Sequence, residues 1–179
     1  MKKLLLPVLL MAVVFSACKK EDPIIPNEEE LITTVIYRLE PLGTGDVVEL
    51  KFQDLDGDGG NPPVITNPPL QANMTYQGSI KFLNELEDPA EDITEEVEAE
   101  GLEHQIFYVV DPLKVDIQYV DQDLDNNPLG ILTSLSTGAA TTGDLTIILR
   151  HEPKKPNDGT PEDAGGETDI EVTFQLTVQ

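Results

Sequence analysis

Val48-Glu-Leu-Lys-Phe-Gln-Asp-Leu-Asp-Gly-Asp58 aligns without a gap on Val115-Asp-Ile-Gln-Tyr-Val-Asp-Gln-Asp-Leu-Asp125. In both stretches apolar side chains alternate with polar ones, as Val48, Leu50, Phe52 and Val115, Ile117, Tyr119 show, before the chain enters an aspartate-rich loop. A period of two puts one face in a core and the other in water, which is the pattern of an antiparallel strand. The fold therefore reads as all-β.

The match extends outward. Upstream, Val35-Ile-Tyr-Arg-Leu-Glu-Pro41 corresponds to Ile106-Phe-Tyr-Val-Val-Asp-Pro112, with Tyr37 on Tyr108. Downstream, Thr75–Leu83 corresponds to Thr141–Leu149, and a closing run, Asp169-Ile-Glu-Val-Thr-Phe-Gln-Leu-Thr-Val178, stands alone. These segments predict about seven strands of an immunoglobulin-like antiparallel β-sandwich built from a duplicated unit, residues 31–88 and 103–153, with a closing strand over 168–178. One short helix interrupts the strands. Asp88-Pro-Ala-Glu91 has the residues of an N-cap, a first-turn proline and an N3 acid, Ile93 and Val97 form a narrow apolar stripe, and Gly101 suits the exit. The acids crowding its C-terminal end oppose the helix dipole, so that end is expected to fray unless a cation sits there.

The N-terminus carries an address. Lys2 and Lys3 precede an apolar run from Leu4 to Phe15, twelve residues, short of the roughly 20 needed to span a bilayer. Phe15-Ser-Ala-Cys18 ends it and resembles a bacterial lipobox, in which cleavage before the cysteine makes Cys18 the acylated N-terminus. Residues 1–17 are thus expected to be a signal peptide, 18–30 a lipidated acidic and proline-rich tether, and 31–179 the domain. Lys19-Lys-Glu-Asp22, directly after the anchor, resembles the signal that sends lipoproteins of Bacteroidota to the outer face of the outer membrane; the periplasmic face stays open. Either way, the expected first partner is outer-membrane lipid, through the acyl anchor.

Composition narrows the function. With 34 acidic and 11 basic residues the net charge is −23, and removing Lys2 and Lys3 takes it to −25. Such a surface excludes nucleic acid as a partner and favours cations and basic partners. A single cysteine rules out both an intrachain disulfide and a multi-thiolate metal site.

Two groups of residues are candidate ligands. Asp54, Asp56, Asp58 and Asp121, Asp123, Asp125 place carboxylates at alternate positions of two loops, as in the first half of an EF-hand loop, which makes calcium the candidate cofactor. Position twelve is Ile65 or Leu132 rather than a glutamate, so a calcium site would borrow ligands from elsewhere, and the competing reading is a turn capped by its own aspartates. The histidines lie in mirrored dipeptides, Glu103-His104 and His151-Glu152, at the ends of two predicted strands. If those ends meet, two imidazoles and two carboxylates would hold a transition metal such as Zn²⁺, Fe or Cu; otherwise both histidines face solvent. No nucleophile motif and no glycine-rich phosphate loop accompanies them, so the chain is not expected to be an enzyme.

The strings LDGDGGNPP, TYQGSIKFLNE, EHQIFY, LRHEPKK and AGGETDIEVTF resemble a family of small acidic lipoproteins of flavobacteria and related Bacteroidota. Its members are often labelled type 1 periplasmic binding fold or GTP cyclohydrolase, and some are encoded beside TonB-dependent receptors. Repeated βαβ units and a basic phosphate pocket, which those two labels require, are foreign to this sequence. The residues lead to a non-enzymatic cell-surface lipoprotein that captures a cation or small ligand as an accessory to an outer-membrane receptor, and the resemblance implies a TonB-dependent receptor as possible partner. The alternative is a structural or adhesive module whose aspartate loops are calcium staples or simple turns.

Overall fold

The computed structural model describes residues 31–57 and 59–179; the expected signal peptide, Cys18 with its tether, and Asp58 lie outside the described residues. The first sheet grows from β1 (Thr34–Pro41). Its inward residues Val35, Tyr37 and Leu39 are fully buried while Arg38 and Glu40 face water, as the period of two demands. Next to it run β2 (Val48–Gln53) on one side, followed by the exposed edge strand β3 (Val64–Thr66), and β4 (Thr75–Asn84) on the other. Beyond β4 come β8 (Leu132–Thr137) and β7 (Val115–Tyr119), and the two-residue β5 (Glu91–Asp92) pairs with the end of β4. The second sheet has three strands in the order β10 (Glu167–Val178), β9 (Thr141–His151), β6 (His104–Asp111).

All these pairings are antiparallel, and one apolar cluster, containing Tyr37, Phe82 and Leu135 of the first sheet and Ile147, Phe174 and Leu176 of the second, joins the two. That shared core makes the molecule an all-β sandwich. The phenols inside it are satisfied: Tyr37 shares a 2.7 Å hydrogen bond with Thr133, and Tyr108 donates to the Gly130 carbonyl at 2.7 Å. Burial pushes the Tyr37 and Tyr108 hydroxyls above their ordinary pKa, and that of Tyr119 up to about 12. Gly78 has a steric reason to interrupt β4, since a Cβ there would sit 2.3 Å from Thr133 Oγ1 and 2.7 Å from the Tyr37 oxygen.

Ten strands replace the expected seven among the described residues, and the matched segments take only partly matching places. The first and third segments of each half pair alike, β1 with β4 and β6 with β9. The second segments part company: β2 stays beside β1, whereas β7 leaves β6 and joins β8 in the opposite sheet. Leu113 is the pivot. It is buried in the shared core, and the chain passes so close to β9 that a Cβ at Gly143 would lie 2.9 Å from the Leu113 nitrogen. Burying Leu113 turns the three-residue link between Asp111 and Val115 into a corner between sheets rather than a hairpin.

The helix also starts later than expected. α1 spans Ile93–Ala99, and its N-cap is Asp92, which accepts the Thr94 N–H, rather than Asp88. The reason is tertiary: Glu91 and Asp92 are held in a strand by Leu83 and Asn84, and Lys81 bonds Asp92 at 2.6 Å. Ile93 and Val97 are buried as their spacing predicted, and the Thr94 hydroxyl accepts the Phe82 N–H at 2.9 Å. A second, four-residue helix, α2 (Pro161–Ala164), is capped by Thr160, whose hydroxyl accepts the Asp163 N–H. None of the described helices is long and apolar enough to cross a membrane.

Candidate metal centre

His104 opens β6 and His151 ends β9, and antiparallel register sets them directly opposite each other. Their rings stack at 4.5 Å between centroids, with an interplanar angle of 34°. The strand ends of the mirrored dipeptides do meet, but inside the protein: His104 is fully buried and His151 is 5% exposed.

A third candidate ligand comes from β10, on the other side of β9. The ladder between them shifts register between Thr168 and Ile170, so Asp169 is an extra residue inserted between the pairs Thr168–Arg150 and Ile170–Leu149. Strict alternation with the inward Val172, Phe174 and Leu176 would turn Asp169 outward; a bulge re-aims it. Its carboxylate is 1% exposed, with Oδ2 3.9 Å from His104 Nε2 and Oδ1 3.8 Å from His151 Nδ1. One ligand atom from each of His104, His151 and Asp169 falls within 4.8 Å of the other two.

The backbone orients one of the rings. His104 Nδ1 lies 3.3 Å from the Glu100 carbonyl oxygen, which can only accept, so a hydrogen bond there places a proton on Nδ1 and leaves Nε2 facing Asp169. An imidazole held by a carbonyl on one nitrogen and presenting the other is the arrangement that orients metal-binding histidines.

Glu103 and Glu152 sit apart from the buried three. Both are exposed, and with His151 they form a second set of ligand atoms within 4.8 Å. The Glu152 N–H donates to the Glu103 carbonyl at 2.7 Å, and Glu152 adopts a left-handed φ of 49°. Beside Glu103 opens a cleft of about 540 Å³, walled by Glu98, Glu100 and Glu103 on one side and by Asp121 and Asp123 on the other.

The aspartate loops are organised differently. Asp54 Oδ1 accepts the N–H groups of Asp56 and Gly57, and Asp56 Oδ2 accepts the backbone and side-chain N–H groups of Asn61, bonds that hold the Asp56 carboxyl below its usual pKa. In the second loop Asp121 receives the N–H groups of Gly130 and Leu132, both at 2.9 Å. Asp123 Oδ1 caps Asp125 and Asn127, while its Oδ2 bonds Lys155 Nζ at 3.0 Å; Asp125 is exposed. Burial pushes the Asp123 carboxyl up, but the Asn127 and Lys155 bonds outweigh it and leave the pKa lowered. Asp54, Asp56, Asp121 and Asp123 each accept from donors of their own. Among the described residues, neither metal-competent group contains an Asp-loop carboxylate.

Sequence reasoning found the two histidines and missed Asp169, because no local pattern announces a bulge. Comparison with family models, curated proteins and solved structures finds no match to this chain.

Proposed function

We propose that this chain is a lipid-anchored outer-membrane protein that captures a divalent transition-metal cation, with His104 Nε2, an imidazole nitrogen of His151 and the Asp169 carboxylate as ligands. The observation that carries the reading is the convergence of two imidazoles and a bulged carboxylate in a closed interior. Two imidazole nitrogens with one carboxylate oxygen suit Zn²⁺ or Fe²⁺ rather than Ca²⁺. Tetrahedral zinc with bonds of about 2.0–2.1 Å sets its ligands roughly 3.4 Å apart. The separations of 3.8 and 3.9 Å would close to that value with small side-chain shifts.

The same burial argues against catalysis, since a catalytic metal keeps an open position for substrate. Cys18 and the basic-acidic stretch after it support an outer-membrane address, and the lipoprotein resemblance suggests a TonB-dependent receptor as the partner that receives the cation. A second reading, a structural module in which a protonated histidine neutralises Asp169, is favoured by the spacing of 3.8 Å, which already suits an ion pair.

Calorimetric titration of the mature protein with Zn²⁺ and Ca²⁺ separates the two. Saturable zinc binding near one equivalent, lost in the H104A/H151A double variant, is the expected result. Heat from Ca²⁺ alone, or no heat from either ion, would leave only the structural module.

A further inference from the structure

We infer that Glu103, His151 and Glu152 form an outer loading site that receives the cation from solvent and passes it to the buried centre; the inference rests on the metal-capture reading above. The buried centre has an access problem. The His104 side chain is fully buried and that of Asp169 is 1% exposed, so neither can meet a hydrated ion at the surface. The His151 side chain, at 7% exposure, is the one member that reaches it.

His151 is also the shared member of the two groups. Outside, one of its ring nitrogens lies within 4.8 Å of carboxylate oxygens of Glu103 and Glu152; inside, a ring nitrogen meets the same limit with His104 and Asp169. The exposed pair is held in place, because the Glu152 N–H donates to the Glu103 carbonyl at 2.7 Å and ties the start of one strand to the end of its neighbour. Glu103 also borders the cleft walled by Glu98 and Glu100, whose carboxylates raise the local concentration of cations.

This arrangement lowers the main barrier to filling a closed site. A bare dication moving into a low-dielectric interior loses its hydration before gaining ligands, at a cost of many kcal/mol. With the His151 ring common to both groups, the ion instead exchanges the Glu103 and Glu152 oxygens for Asp169 and His104 Nε2 one at a time. Two carboxylates and one imidazole leave room for bound water, which suits a transient station; two imidazoles and a buried carboxylate suit the resting place.

Stopped-flow uptake of Co²⁺ by the full mature protein, read from the visible absorption of four-coordinate cobalt, tests the inference. Wild type should develop the band, and E103Q/E152Q should develop the same final band with nearly unchanged affinity but about ten-fold more slowly, in line with the rate effects of local charge. Circular dichroism of the variant checks that it is folded. A variant as fast as wild type would overturn the loading site while leaving the buried centre standing. A changed final band or a proportional loss of affinity would also overturn it, by making the glutamates ligands of the resting centre. Absence of the band in wild type would remove the buried centre itself, and the loading site with it.

Discussion

Lys155 Nζ lies 3.0 Å from Asp123 Oδ2, the lysine side chain 7% exposed and the carboxylate fully buried. The same ammonium also donates to the Gly101 carbonyl at 2.6 Å and to the His104 carbonyl. One cation therefore closes the second aspartate loop against the turn that follows α1. That acidic helix end needs a positive charge near its carbonyls, and the chain supplies one from 54 residues away.

Lys155→Met should be strongly destabilising, because it leaves Asp123 buried without a counter-charge. Loss of one partner of a buried pair costs about 3–5 kcal/mol, and urea unfolding should show it. Adding Asp123→Asn to that variant should recover part of the loss, since the stranded charge goes too. A single variant as stable as wild type would mean the pair carries no weight.

Calcium should leave the melting temperature unchanged. Asp121 of the second loop already accepts two backbone N–H groups, and Asp123 a lysine. A genuine site at 100 times its Kd would add about 2.7 kcal/mol, which calorimetry in millimolar Ca²⁺ against chelator would register. A clear upward shift would support calcium as the cofactor and direct attention to the first loop.

Acid should weaken the same contact. Asp123 has a folded pKa below the ordinary 3.8, so its contribution to stability is complete above 3.8 and is lost as pH falls through the lower folded value. Asp123→Asn should be less stable than wild type near neutrality, and the gap should narrow on acidification. Parallel acid titrations of unfolding free energy measure it; a constant gap down to the lowest pH would count against this role.

Cys18→Ser tests the address. Labelled fatty acid should enter the wild-type protein and not the variant, which should remain an unacylated precursor or a released species. Equal labelling of the two would end the lipoprotein reading.

The strands were legible because their cause is local. Val48, Leu50 and Phe52, or Val172, Phe174 and Leu176, alternate with polar neighbours, and no distant contact is needed to see which face is wet. Ile93 and Val97 disclosed a helical stripe in the same way, but the first helical residue depended on Glu91 and Asp92 pairing with β4, which a local capping pattern does not contain. The matched halves pointed to equal pairing, yet burial of Leu113 sent β7 to the other sheet.

The candidate centre divides along the same line. Two histidines at strand ends could be read from the residues alone; that they face each other is a matter of register between β6 and β9, set by the whole ladder. Asp169 belongs with them only because one extra residue between Thr168 and Ile170 reverses the direction of its side chain. Periodicity along a chain determines which residues want to be buried. Which of them meet is decided by pairing between segments far apart in sequence, where a shift of one residue exchanges inside for outside.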